Sequence, residues 1–230
     1  MTGSVTTAMC TSFKGEMPQA LHCFNGSISP TGSCASGANH VTGLSSLAGI
    51  TVGMLAVNAN LPSPSYVSYI DSTTSLYLSG ATGAVSNATG TITSSAITFT
   101  ADIYKMALIV ASPAGTYGAA TTNYSSLTTD EVASGGGYTT GGFAWTAAQN
   151  ITPTTSGTGA YWQWTTNPSW TSATFSTSGA LVYNGTSYRN GASGRSVATY
   201  SFGGTQTVTS GTFTVIQPTN GVGTSMLQVN

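Results

Sequence analysis

The segment Tyr104-Lys105-Met106-Ala107-Leu108-Ile109-Val110 is a near-continuous apolar run of strand length. A strand with no polar face must be covered on both faces, so this run is expected in the interior of a sheet with protein packed on each side. That requirement calls for a sizeable β domain. At 230 residues the chain is long enough for one large domain or two small ones.

The rest of the sequence agrees with an all-β fold. Short β-branched or aromatic stretches recur at Ile50 to Val57, Tyr66 to Ile70, Ser75 to Leu78 and Ala96 to Ala101, with Leu61-Pro62-Ser63-Pro64 as a break and Asp71-Ser72-Thr73-Thr74 as a turn. They recur again at Tyr161 to Thr165, Ala173 to Ser176, Ala180 to Tyr183, Ser196 to Phe202, Thr212 to Ile216 and Met226 to Val229. Gly or Asn punctuates nearly every gap, as the turns of an antiparallel β-sandwich or jelly roll require. One helix is expected near the N-terminus, capped by Ser12 and running over 13–24, with Phe13, Met17, Leu21 and Phe24 on one stripe. Gly15 and Pro18 weaken that helix, and two short turns would fit as well. Residues 28–43 read as a linker or extended loop, and Ser134 to Gly142 as a mobile glycine-rich loop.

Four Lys or Arg and five Asp or Glu are all the charge the chain has, with a net charge of −1. A nucleic-acid ligand is not expected, because no basic stripe exists. A membrane partner is not expected either, since the longest apolar run, Met106 to Ala111, falls far short of the roughly 20 residues of a spanning helix. Met1-Thr2-Gly3-Ser4 lacks a basic targeting region, so the expectation is a soluble protein made in the cytosol. Strand edges normally carry Lys or other charges as a guard, so here they must be covered by loops, Pro or neighbouring subunits. That is the surface of an assembly component.

Candidate chemistry is sparse. Cys10, His22, Cys23, Cys34 and His40 all lie in the first 40 residues, but their spacing does not match paired zinc ligands, so no metal site is expected and free thiols are the default. Glycoside hydrolysis needs two carboxylates across a scissile bond. Asp130 and Glu131 are adjacent, would point to opposite faces of a strand, and read as solvated loop or turn residues. Neither a Gly-x-Ser-x-Gly elbow nor a Gly-Lys-Ser/Thr phosphate loop is present. No catalytic residue and no cofactor are therefore assigned. Trp145, Trp162, Trp164 and Trp170 cluster in sequence, and core packing or subunit-interface anchoring is a better account of them than a carbohydrate platform. With Phe13 and Tyr138 they form the set of candidate interface residues.

Several words along the chain occur in a telling order. Thr11-Ser12-Phe13-Lys14-Gly15-Glu16 and His22-Cys23-Phe24 open it, followed by Lys105-Met106-Ala107-Leu108-Ile109. Next come Ala120-Thr121-Thr122-Asn123-Tyr124, Glu131-Val132, Gly135, Gly137-Tyr138 and Gly141-Gly142. The close is Gly179-Ala180-Leu181-Val182-Tyr183-Asn184, Arg195-Ser196-Val197-Ala198, Phe202-Gly203-Gly204 and Gly211-Thr212-Phe213-Thr214-Val215. This order resembles a family of accessory virion structural proteins of tailed bacteriophages. In that family the opening segment runs almost directly into the Lys-x-Ala-Leu strand, whereas here about 75 residues intervene. They too resemble a small β module of phage structural proteins, with Val52-Gly53-Met54, Ser68 to Ser72 and Leu78-Ser79.

The resemblance implies a main domain of residues 1–25 plus 102–230 and an inserted small β domain of residues 26–101. It also implies a non-enzymatic virion component, above all a capsid decoration or cement protein, whose partners are the major capsid protein or neck and tail proteins and whose state is homo-oligomeric. A neck or tail protein, or a receptor- or glycan-binding module, are the alternatives. The resemblance carries over no catalytic residues.

Overall fold

The computed structural model describes residues 3–17, 22, 24, 27–80, 88–145, 152–156, 159–164, 166–186, 194–217 and 227–229, with the backbone alone for 152–156, 159–163 and 227–229. The fold is all-β with antiparallel sheets and one short helix. Two compact units divide the chain: one contains Met1–Met17, Ile103–Gly185 and Gly194–Asn230, and the other Pro18–Asp102 with Thr186–Ser193.

The first unit is built on five strands in the order β1-β14-β13-β9-β10, where β1 is Ala8–Met9, β9 Tyr104–Val110, β10 Phe143–Ala144, β13 Ser169–Asn184 and β14 Arg195–Thr214. The apolar run is β9, and every residue from Met106 to Ile109 is fully buried. Seven residues of β13 pair along one side of it, from Thr177↔Val110 to Asn184↔Tyr104. On the other side β10 pairs at Lys105 and Met106, and the Asp130–Val132 backbone takes over at Leu108 to Val110. A separate three-stranded sheet joins β11 (Thr152–Ser156), β12 (Gly159–Gln163) and β15 (Leu227–Val229).

Four expected strands of this unit are two long ones. Gly179 and the Gly203-Gly204 pair look like turns in sequence but sit inside β13 and β14 as irregularities of the ladder. Gly179 pairs with Ser201 and Thr177 with Gln206, so β14 carries three extra residues there, and the positive φ of Gly203 (75°) and Gly204 (148°) accommodates them. Further shifts flank Ala173, next to Ser172 and Ser210, which have φ of 51° and 50°. These bulges curl the ribbon. Phe202 and Phe213 would be about 36 Å apart on a straight strand, yet their rings are 6.0 Å apart.

The helix α1 is shorter than the 13–24 stripe suggests. It spans Thr11–Glu16, its N-cap is Cys10 rather than Ser12, and only Phe13 of its residues is buried. Met17, still in helical geometry, closes it immediately before Pro18, which has no N–H to carry the helical hydrogen bonds further. Residues 18–21 and 23 lie outside the described part.

In the second unit, β3 (His40–Val41), β6 (Leu76–Gly80), β5 (Ser65–Ile70), β4 (Leu55–Val57) and β8 (Thr98–Thr100) form a five-stranded sheet in that order. A two-stranded sheet joins β2 (Thr31–Cys34) to β7 (Ile92–Ala96). Residues 28–43 are thus not a linker, because β2 and β3 lie within them. Their inward Cys34 and Val41 join a core with Leu44, Met54, Val67, Leu76, Leu78 and Phe99. The strands Ser65–Ile70 and Leu76–Gly80 pair with each other inside this unit.

Candidate functional site

Asp130 and Glu131 contradict the solvated-loop reading. They lie on the backbone segment that pairs with β9, and each carboxylate is wrapped by its own set of donors. Asp130, buried, accepts from the Ala114 N–H (3.0 Å), the Gly115 N–H (2.7 Å) and the Tyr117 hydroxyl (2.7 Å). Burial alone would raise its pKa, but these three donors outweigh it and hold the carboxyl below the ordinary value. Glu131 accepts from the Tyr138 hydroxyl (2.7 Å), the Gly141 N–H (2.6 Å) and the Tyr124 hydroxyl. Burial pushes the phenols of Tyr117, Tyr124 and Tyr138 up, and their hydrogen bonds to the carboxylates push them further.

The Glu131 network organises the glycine-rich segment, which is not a mobile loop. Gly135 and Tyr138 exchange two backbone hydrogen bonds, and the Gly136 carbonyl accepts from Thr174 of β13. Gly142 adopts φ of 72°, and a Cβ there would strike the Met106 carbonyl. Tyr138 is the plug: its ring lies 5.9 Å from both Trp170 and Phe175, and its hydroxyl accepts from the Leu108 N–H (3.0 Å) while donating to Glu131. It therefore satisfies a β9 amide that would otherwise be orphaned in the core.

Five of the six candidate interface residues are core residues. Phe13, Tyr138, Trp145, Trp164 and Trp170 are all buried within the first unit. Trp145 stacks on Trp164 at 4.5 Å, its indole N–H donates to the Thr166 carbonyl (2.8 Å), and Trp170 packs on Phe213 at 6.1 Å. A ring already enclosed by its own domain has no area left to bury against a partner. Trp162 lies on β12, and its side chain is outside the described part.

The remaining polar candidates are dispersed. Cys10 and Cys34 are buried free thiols in different units, and burial, with a smaller contribution from the Glu16 carboxylate, pushes the Cys10 thiol up to about 12. His40 stacks on Tyr77 at 4.3 Å and hydrogen-bonds Asp71 (3.2 Å). His22 stacks on Phe24, and Cys23 lies outside the described residues. Among the described residues, no three His, Cys, Asp or Glu side chains gather as a metal would need. Glu16 is taken up by Arg195, at 2.8 Å in a partly buried pair that ties α1 to β14.

The open features are uncharged. A groove of about 580 Å³ runs beside β14, lined by Tyr200, Phe202, Gln206, Phe213, Ile216 and Gln217 among others. Ile216 is 78% exposed, and in the second unit Tyr69 is 59% exposed. Among the described residues, no helix is long and apolar enough to cross a membrane. No family model, no curated protein and no solved structure matches the chain.

Proposed function

We propose that this chain is a non-enzymatic structural component of a tailed-phage particle, a capsid decoration or cement protein that docks through uncharged contacts. One observation supports this reading above the others: the acidic groups that could do chemistry are committed to the fold. Asp130 and Glu131 hold loops to the main sheet, Glu16 pairs with Arg195, and Asp71 accepts from Ser75 and meets His40. The ordered run of motifs in the sequence points the same way. Because the described tryptophans are interior, the docking role passes from them to exposed apolar side chains such as Tyr69, Ile216, Val52 and Val57.

The test is the copy number of this chain in purified particles, read by gel densitometry against the major capsid protein. A decoration protein approaches the abundance of the capsid subunit. A few copies per particle would move the assignment to the neck, the tail or a receptor-binding part, and absence from particles would overturn the reading. Washing the particles in NaCl adds a second measure. Screening shortens the Debye length to about 3 Å at 1 M, so retention at high salt is expected, and selective release there would mean that the remaining charges govern docking.

A further inference from the structure

We propose that the outer face of the second unit's five-stranded sheet receives an arginine side chain of a partner protein, stacked on Tyr69 and paired with Asp71. Strand alternation builds this face. Val41, Leu76 and Leu78 point into the core, so His40 on β3 and Tyr77 on β6 point the other way. The bulge between Val67 and Tyr69 turns Tyr69 of β5 to the same side. The register sets His40 and Tyr69 on either side of Tyr77. His40 lies flat against Tyr77, at 4.3 Å and 8°, whereas Tyr69 stands 6.2 Å from it at 38° and is 59% exposed.

The second observation is charge. Asp71 follows directly on β5, accepts from the Ser75 hydroxyl (2.7 Å) and meets His40 Nε2 (3.2 Å). The Ser75 hydroxyl foremost, then the Asp71 amide and His40, hold the carboxyl below its ordinary value against a smaller opposing effect of burial, so it is ionised at neutral pH. Among the described residues its one ion pair is with that imidazole, which is positive only when protonated. The chain from Pro18 to Asp102 contains no Lys or Arg, and its other acid, Asp102, is buried. Arg189, in the remaining segment of this unit, lies outside the described residues. Asp71 is therefore a standing negative charge on a face of exposed rings, with no permanent cation of the described chain against it.

That combination is complementary to a cation, and to a guanidinium more than to an ammonium. A guanidinium is planar and weakly hydrated, so it stacks on a phenol ring while its N–H fork reaches the carboxylate. A neutral saccharide is the competing occupant. It needs open ring faces, but His40 and Tyr77 turn theirs on each other, which leaves Tyr69 alone to offer one. An acidic ligand would meet Asp71 as a like charge. Within the virion reading this is one polar anchor among uncharged contacts, and a pair that becomes partly buried is screened far less than an exposed one.

The inference does not rest on the virion reading, because it is tested on the isolated full chain. Acetyl-arginine amide is titrated at about pH 8 into protein with 13C-labelled tyrosine rings, and the Tyr69 signal is identified by its loss in Tyr69→Leu. The Tyr69 and Tyr77 signals should shift saturably, with a Kd of about 10 mM or tighter. Acetyl-citrulline amide, which has the same shape without the charge, should bind at least about fivefold more weakly, and so should the arginine probe to Asp71→Asn. Tyr69→Leu removes an exposed ring and should weaken binding at least about threefold. If Asp71→Asn fails to fold, the citrulline comparison still decides, since it removes the charge from the probe instead. No saturable shift up to about 100 mM, citrulline bound as tightly as arginine, binding unchanged in either variant, or tighter binding of maltotriose at the same rings would each overturn the proposal.

Discussion

Removing one oxygen, in Tyr138→Phe, tests whether the glycine-rich segment holds the main sheet together. The hydroxyl has two jobs, accepting from the Leu108 N–H at 3.0 Å and donating to Glu131 at 2.7 Å. Leu108 is fully buried, so its orphaned amide should cost about 1–3 kcal/mol, and the lost bond to a carboxylate about 1.5–3 kcal/mol. Glu131 keeps Tyr124 and Gly141 and recovers part of the second amount, so the net loss is set at about 3 kcal/mol. For a chain of this size that lowers the melting temperature by roughly 6–12 °C. All four tryptophans belong to the first unit, so tryptophan fluorescence in urea reports this unit without interference from the other. Tyr124→Phe is the control, because it takes a donor from the same carboxylate and orphans no β9 amide. A Tyr138→Phe loss below about 0.5 kcal/mol, or one no larger than that of Tyr124→Phe, would refute the reasoning.

Three further outcomes are expected. Leu108→Asp places an unpaired charge at the centre of β9 and should abolish soluble folding of the first unit, as read by circular dichroism and recovery in the supernatant. Asp130 is held below its unfolded value, so its stabilisation is complete above about pH 4 and fades as pH falls through the folded value. Urea midpoints by tryptophan fluorescence should drop between about pH 4 and pH 2, and part of that slope should vanish in Asp130→Asn. Replacing residues 26–101 by a short Gly-Ser linker should leave the first unit folded, with its tryptophan emission preserved, since its core residues come from outside that stretch; loss of the folded signal would show that the units are energetically inseparable.

The interior strand was legible because seven consecutive residues admit one environment. The long ribbon was less so: in Phe202-Gly203-Gly204, glycines that signal a turn locally serve as a bulge, and only the pairing on both sides of them distinguishes the two. Residues 28–43 misled for a related reason, since a strand as short as His40–Val41 needs one inward hydrophobe, too few to make a pattern. Glu131 was hidden more deeply. Its partners Tyr124, Tyr138 and Gly141 stand seven to ten residues away with no periodicity, and although adjacency to Asp130 put the two carboxylates on opposite faces, it gave no sign that each would meet its own set of donors instead of solvent.

The sheet margins bear on how such a chain behaves when crowded. Strands β1, β3 and β10 are two residues long and β8 is three, so these outermost members of both five-stranded sheets offer too little ladder to recruit a stray strand, while β14, which β1 covers only at Ala198 and Thr199, has its outer margin interrupted by the backbone at Gly203 and Gly204. Protection built from brevity has no titratable part. Colloidal behaviour in a chain guarded by lysines changes whenever protons neutralise its charge, but here the guard is a matter of backbone length and travels unchanged through acid, alkali and brine. The cost falls on evolution: lengthening any of those margins by a few residues would create a sticky edge that no nearby charge could correct.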